Sequence, residues 1–292
     1  LFYLSDGLSS EKLKSDWEGG ANDPRRTETT PEDRETKRIN DETNRAIRIH
    51  PENPWKGCGM TLNKTAIEWC DRTWNPVTGC QHGCPYCYAR KIAERFHGPA
   101  GFIPAFHPER LEDPIKQKKP QTIFVCSMAD LFGNWVPDLW IEMVFAEIQN
   151  AKQHTYIFLT KNPSRYLRIP LTYFSKNVWV GATVTGINDI DRIYELRKLP
   201  NYVNKFISFE PLLGIMPHID LIGSPFFDDE PEIKQVIIGA QTNPSVEVTP
   251  EMVQPIGEAT CPGVVPVVKM FCKDSMPMWA KARRELCWEL HK

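Results

Sequence analysis

Six short apolar runs punctuate the chain at 122–126, 155–159, 178–184, 206–209, 236–239 and 264–268. Each is apolar at consecutive positions rather than alternate ones. This is the pattern of strands covered on both faces, as in a parallel sheet packed between helices. A further opening strand is expected near Ala66, Ile67, Glu68 and Trp69. Helical segments fall between the runs. Tyr88, Ile92 and Phe96 recur at i, i+4 and i+8, which places them on one face, and Gly98-Pro99 ends that helix. Pro137 suits a first helical position, followed by a stripe of Trp140, Met143, Val144 and Ile148. Asn188 is placed to cap a helix turning Ile190, Ile193 and Tyr194 inward, and Thr249-Pro250 is a second start signal. β-then-α units of about 30 residues imply right-handed crossovers. The expected class is α/β, a parallel β/α barrel, partial or complete.

The pattern breaks down upstream. Residues 1–59 are dense in charge of both signs and poor in apolar residues, as in Pro31-Glu32-Asp33-Arg34-Glu35. Such a segment buries too little apolar surface to offset its ordering entropy. It reads as a flexible, disordered extension, upstream of Met60, in front of a barrel domain at 60–292. The 292 residues carry a net charge of −2, so nucleic-acid binding would need a local basic patch. Arg90, Lys91 and Arg95 make one such run; Lys116, Lys118 and Lys119 make another. No apolar run reaches the roughly 18 residues of a membrane span, and Leu1-Phe2-Tyr3-Leu4 is too short for a secretory signal.

Three of the nine cysteines, Cys80, Cys84 and Cys87, fall within eight positions. That crowding disfavours a disulfide framework and suits a metal site in a reducing cytosol, so a cytoplasmic protein is expected. The spacing C-x3-C-x2-C fits four readings. Three thiolates can hold three corners of an iron–sulfur cluster and leave one iron open. A zinc site would need a fourth ligand, for which His82 is the nearest. Cys84-Pro85-Tyr86-Cys87 alone resembles a dithiol redox motif, which leaves Cys80 unexplained. Three packed structural cysteines are the remaining reading. Covalent c-type haem is excluded, because Tyr88 stands where histidine is required. Cys126, Cys261, Cys272 and Cys287 share no compact spacing and read as buried single thiols.

Cys80-x3-Cys84-x-Tyr86-Cys87, placed between a first strand and a first helix, resembles the signature of the radical S-adenosylmethionine superfamily. The span from about Lys64 onward is similar to a little-characterised phage and bacterial family within it. The matching stretches include Thr73-Trp74-Asn75-Pro76-Val77-Thr78-Gly79-Cys80, Phe106-His107-Pro108-Glu109-Arg110, and Glu210-Pro211-Leu212-Leu213-Gly214. The resemblance implies a TIM-type barrel, a [4Fe-4S] cluster on Cys80, Cys84 and Cys87, and S-adenosylmethionine on the open iron. It also implies a reductant such as flavodoxin or ferredoxin, and hydrogen abstraction from a substrate by a 5′-deoxyadenosyl radical. The kinship and the two basic runs point to a nucleic-acid base or nucleotide.

In a β/α barrel the active site lies at the C-terminal strand ends. The polar residues where the apolar runs stop are therefore candidates. Tyr86, Ser127, Asp130, Thr183, Glu210 and Gln241 are expected to contact cofactor; Lys161, Glu210 and Lys269 are expected to act on substrate, the lysines by holding a carboxylate or phosphate. The resembling enzymes commonly end their second strand in Gly-Gly-Glu, whereas this chain reads Cys126-Ser127-Met128-Ala129-Asp130 there. Asn75 is expected to shape the cysteine loop, Trp69 and Trp74 to sit in the core, and His107 to lie near the mouth as a candidate proton donor.

Overall fold

The computed structural model describes residues 62–218, 233–242, 244–260 and 269–277. The extension at 1–59, the apolar run at 264–268, and Cys58, Cys261 and Cys287 lie outside the described residues. Eight strands form one sheet: β1 (Asn63–Lys64), β2 (Arg72–Trp74), β5 (Thr122–Val125), β6 (Thr155–Thr160), β7 (Val178–Thr183), β8 (Asn204–Leu212), β9 (Gln235–Ala240) and β10 (Lys269–Cys272). They lie in that order, parallel throughout except for β1 against β2. A small antiparallel pair, β3 (Val77–Thr78) and β4 (Ala105–Phe106), sits apart. Every residue of β5 and β7 is buried, as the unbroken apolar runs predict.

The sheet curls. Phe124, Ile157, Trp179, Phe206, Ile237 and Phe271, one from each of β5 to β10, meet Trp69 in a single apolar layer. The Glu68 carboxylate, just before β2, accepts from the Asp274 backbone N–H just after β10 at 2.9 and 3.1 Å. The two ends of the sheet thus approach each other, although β1 and β10 do not pair among the described residues. The architecture is a mixed α/β half-barrel, the partial form of the expected barrel.

Three elements differ from expectation, and the facing of α1, which the sequence leaves open, is settled by packing. The opening strand is β2, not the segment at 66–69. There Trp69 leaves the sheet edge to pack on Phe124, with ring centroids 4.8 Å apart. Trp69 and Trp74 are both core residues, as expected. The β6–β7 crossover carries 3-10 turns, Pro163–Arg168 and Leu171–Tyr173, each with a proline at or just before its start, instead of an α-helix. α1 (Tyr88–His97) turns Ala89 and Ala93 inward while Tyr88, Ile92 and Phe96 face out. The cause is close approach. Gly101, in the 3-10 turn Pro99–Phe102, comes so near that a Cβ there would lie 2.8 Å from the Ala93 carbonyl oxygen, so only small side chains fit beneath the helix. Finally, α4 (Asp191–Arg197) buries Ile193 and Leu196 but exposes Tyr194. Asn188 does not cap it: the residue before its first turn is Ile190, with no side-chain capping bond, and the neighbouring Asp189 accepts from Thr185 N and Oγ1 instead.

The other helices are α2 (Asp113–Lys116), α3 (Asp138–Asn150), which buries Trp140, Val144 and Ile148 of the expected stripe while Met143 is half-buried, and α5 (Pro250–Thr260). Among the described residues no helix is long and apolar enough to cross a membrane.

Candidate functional site

A cavity of about 360 Å³ opens at the C-terminal strand ends, above the apolar layer. That size suits a small-molecule ligand. One wall is the loop between β3 and α1, which brings Cys80, Cys84, Cys87 and Tyr86 to the cavity. Ser127 and Asp130 follow β5; Thr160 and Thr183 end β6 and β7, and Lys161 follows β6; Glu210 lies near the end of β8, and Gln241 follows β9. Nearly all the strand-end candidates therefore share one space.

Lys269 is the exception. It opens β10 and pairs in register with Gln235, the first residue of β9, so it stands at the opposite end of the sheet from the cavity. The run at 264–268 suggested a strand ending at Lys269, but the observed strand is 269–272. The residue beyond its end is Lys273, and Lys273 lines the cavity. Applying the strand-end rule to the later register would have found it. Its ammonium lies 2.8 Å from Glu210 Oε1. Burial opposes the charge on Lys273, but the Glu210 carboxylate outweighs it and raises the ammonium above its ordinary value. Glu210 Oε2 accepts from Trp69 Nε1 at 3.2 Å and Ser208 Oγ at 3.0 Å. With both oxygens engaged, Glu210 is a fixed anionic post rather than a ready base.

The cysteine loop is built by two turns and two anchors. Gly79 takes φ +82° and donates to the Met128 carbonyl at 2.9 Å. Cys87 caps α1, its Sγ accepting from Arg90 N at 3.3 Å, which places that sulfur at a helix N-terminus, where negative charge is favoured. Asn75, expected to shape the cysteine loop, instead shapes the loop after β5: its Oδ1 accepts from Met128 N at 3.0 Å and Ser127 Oγ at 3.2 Å.

The second anchor is Asp130. Oδ2 accepts from His82 Nε2 at 2.7 Å and Lys161 N at 2.9 Å; Oδ1 accepts from Thr160 Oγ1 at 2.7 Å and Phe132 N at 3.0 Å. Burial alone would raise this carboxyl, but the hydrogen bonds, led by His82, hold it below its ordinary value. Asp130 lines the cavity, yet all four of its bonds go to protein. It ties the cysteine loop, through His82, to the ends of β5 and β6. The sequence offered His82 only as a zinc ligand; its packing against the Trp135 edge, 4.8 Å between centroids, fixes the ring in this other role.

Lys161 holds its ammonium 5.7 Å from the Tyr86 ring centroid, in cation–π range. Tyr86 in turn is bonded to Thr185. Among the described residues, the six cysteines are free thiols. Burial pushes the Cys80 thiol up to about 11, so holding it as thiolate requires a nearby positive charge such as a metal. Cys126 and Cys272 are buried single thiols, as expected. No three His, Cys, Asp or Glu side chains among the described residues gather around a single metal ion. In an iron–sulfur cluster each thiolate binds a different iron, so three cysteines spread along one wall are compatible with that group.

His107 lies off the cavity and fully buried, its Nε2 2.8 Å from Thr78 Oγ1. Burial, then Arg110, pushes it down to about 3 from the ordinary 6.5, so the ring is neutral and structural rather than a proton donor. The unfolded chain takes up this proton first. Stability from the neutral ring is therefore complete above about pH 6.5 and declines as pH falls toward 3. Urea midpoints measured across that window should fall more steeply for the native chain than for His107→Phe; parallel curves would contradict the assignment.

The site is thus an α/β half-barrel's cavity walled by a three-cysteine loop. The chain belongs to DUF5131, a family described only as proteins of unknown function, whose model matches residues 64–261. No curated protein matches the chain. Among solved structures it is similar to spore photoproduct lyase complexed with dinucleoside spore photoproduct, at 10% identity over 72% of this chain and 66% of that one, with a TM-score of 0.44. It is also similar to a mutant of that lyase with dinucleoside spore photoproduct, at 12% identity over 52% and 48%, and to another with bound AdoMet and the same dinucleoside, at 12% over 53% and 49%, each with a TM-score of 0.42. The chain spans about half the length of these two mutant structures.

Proposed function

We propose that this protein is a radical S-adenosylmethionine enzyme whose cluster is held by Cys80, Cys84 and Cys87. The observation that carries the reading is the delivery of three free, half-buried thiols by one short loop to a cavity at the C-terminal strand ends. When bound, a [4Fe-4S] cluster with one open iron, together with S-adenosylmethionine, would supply reductive cleavage to methionine and a hydrogen-abstracting 5′-deoxyadenosyl radical.

The chain's own residues do the rest. Ala89, Ala93 and Phe102 pack behind Cys80 and Cys87 and shield that side of the loop from water. Asp130 and His82 hold the loop in register with the strand ends. Lys161, backed by Tyr86, offers a cation to a carboxylate or phosphate, and the Glu210–Lys273 pair presents a fixed polar edge on the far wall. An external one-electron donor of the flavodoxin or ferredoxin kind completes the system.

The test is anaerobic reconstitution with iron and sulfide, followed by dithionite and S-adenosylmethionine. The expected product is 5′-deoxyadenosine, absent when all three cysteines are replaced by alanine. Product from the triple variant would overturn the reading. So would zinc uptake without iron. Thiol–disulfide exchange that survives Cys80→Ala, with no 5′-deoxyadenosine formed, would point instead to a dithiol at Cys84 and Cys87.

A further inference from the structure

The outward face of α1 reverses the usual arrangement of an amphipathic helix. Its small residues, Ala89 and Ala93, are packed, while its large ones are in solvent: Tyr88 is 51% exposed, Ile92 42% and Phe96 70%. Contiguous exposed apolar residues mark an interaction site. Three features of this face say what it binds.

First, it is cationic. Lys91 and Arg95 flank Tyr88 and Ile92 at helical spacing, whereas Arg90 is turned to the other side, where it pairs with Glu94, the helix's single carboxylate, at 3.8 Å and its Nη2 donates to the Cys80 carbonyl at 3.5 Å. Second, a cation sits beside an exposed ring. The Arg95 guanidinium lies 5.8 Å from the Phe96 centroid. Third, the face runs into the cavity, whose lining includes Tyr88 and Lys91. Tyr88 is held upright there by its hydroxyl, which donates to the Ser127 carbonyl at 2.7 Å.

We propose that this face binds single-stranded nucleic acid, with bases stacked on Phe96 and Tyr88 and phosphates on Arg95 and Lys91, and leads the strand to the cavity. Aromatic faces tolerate every base, and adjacent cations follow the backbone. The other basic run takes no part. Lys116, Lys118 and Lys119 precede β5, at the opposite end of the sheet, and Lys116 is paired with Glu112 at 3.3 Å. Naming the strand as substrate rests on the radical reading above; the binding itself does not.

The experiment is fluorescence anisotropy on the full chain without cofactor, using labelled DNA and RNA strands of about 20 nucleotides. The two arms show which sugar is preferred. Binding should weaken with salt, with a log–log slope of about −1.4 to −2.1 for two or three neutralised phosphates. Phe96→Ala should weaken it about ten-fold with the slope unchanged. Arg95→Ala should weaken it and flatten the slope by about 0.7. Both side chains are exposed, so both variants should fold, and both should still form 5′-deoxyadenosine when reconstituted without nucleic acid. Three results would overturn the proposal: no binding by either strand at about 100 μM protein, binding indifferent to both substitutions, or a dimer of this chain that Phe96→Ala dissolves. Failure of 5′-deoxyadenosine formation alone would leave the binding result standing and overturn only the radical reading.

Discussion

Asp130→Ala is expected to destabilise the protein by about 3–5 kcal/mol and to empty the cysteine site of iron. One buried carboxylate satisfies four donors, and alanine strands all of them: His82, the Thr160 hydroxyl, and the backbone N–H groups of Lys161 and Phe132. Asparagine should rescue little. Whichever way the amide is turned, its NH2 faces one backbone N–H, that of Lys161 or that of Phe132, and neither can become an acceptor. His82 and Thr160 can adapt; the two backbone groups cannot. Urea denaturation gives the stability and iron per chain gives the coupling to the loop. An Asp130→Asn variant with native stability and full iron content would show that the carboxylate is not the anchor.

Gly79→Ala should be the second large effect, in sharp contrast to Gly83→Ala two turns of the same loop away. Both glycines have positive φ, +82° and +69°. A left-handed backbone costs an alanine about 1–2 kcal/mol, and Gly83→Ala should show that and little more, since nothing lies within 4 Å of its added Cβ. At Gly79 the Cβ would meet the Ile103 carbonyl oxygen at 2.3 Å, a backbone atom with no rotamer to escape into. Gly79→Ala should therefore cost at least about 3 kcal/mol and shift Cys80, the next residue, away from the cavity. Iron uptake after reconstitution should fall with Gly79→Ala and persist with Gly83→Ala. Equal losses in the two variants would mean that the close approach of Ile103 does not position the cysteine.

Much of this was legible in the chain because parallel strands announce themselves. The runs that became β5 to β9 are apolar at consecutive positions, and a polar residue at or just past the end of each strand falls at the cavity, Thr183 in the case of β7. What was illegible has physical reasons. β2 is three residues long, and Arg72-Thr73-Trp74 carries no periodicity. The facing of α1 has no signature in the apolar pattern, since Tyr88, Ile92 and Phe96 share a face whichever way it points; Gly101 decides it by bringing another backbone so near that only alanine fits beneath the helix. Lys273 was passed over because the strand before it begins at Lys269, five residues later than the apolar run suggests. Asp130 was found at the right place with the wrong partners: its position marked it for a cofactor, but no spacing rule reveals that His82, 48 residues earlier, claims it first.

Everything rests on three sulfurs sharing a cluster with one coordination site to spare. Electron paramagnetic resonance of the anaerobically reconstituted, dithionite-reduced protein tests this most directly, before and after adding S-adenosylmethionine. About four irons per chain and a reduced-cluster signal whose shape changes on addition would bear it out. A full complement of iron with a spectrum indifferent to S-adenosylmethionine would contradict it.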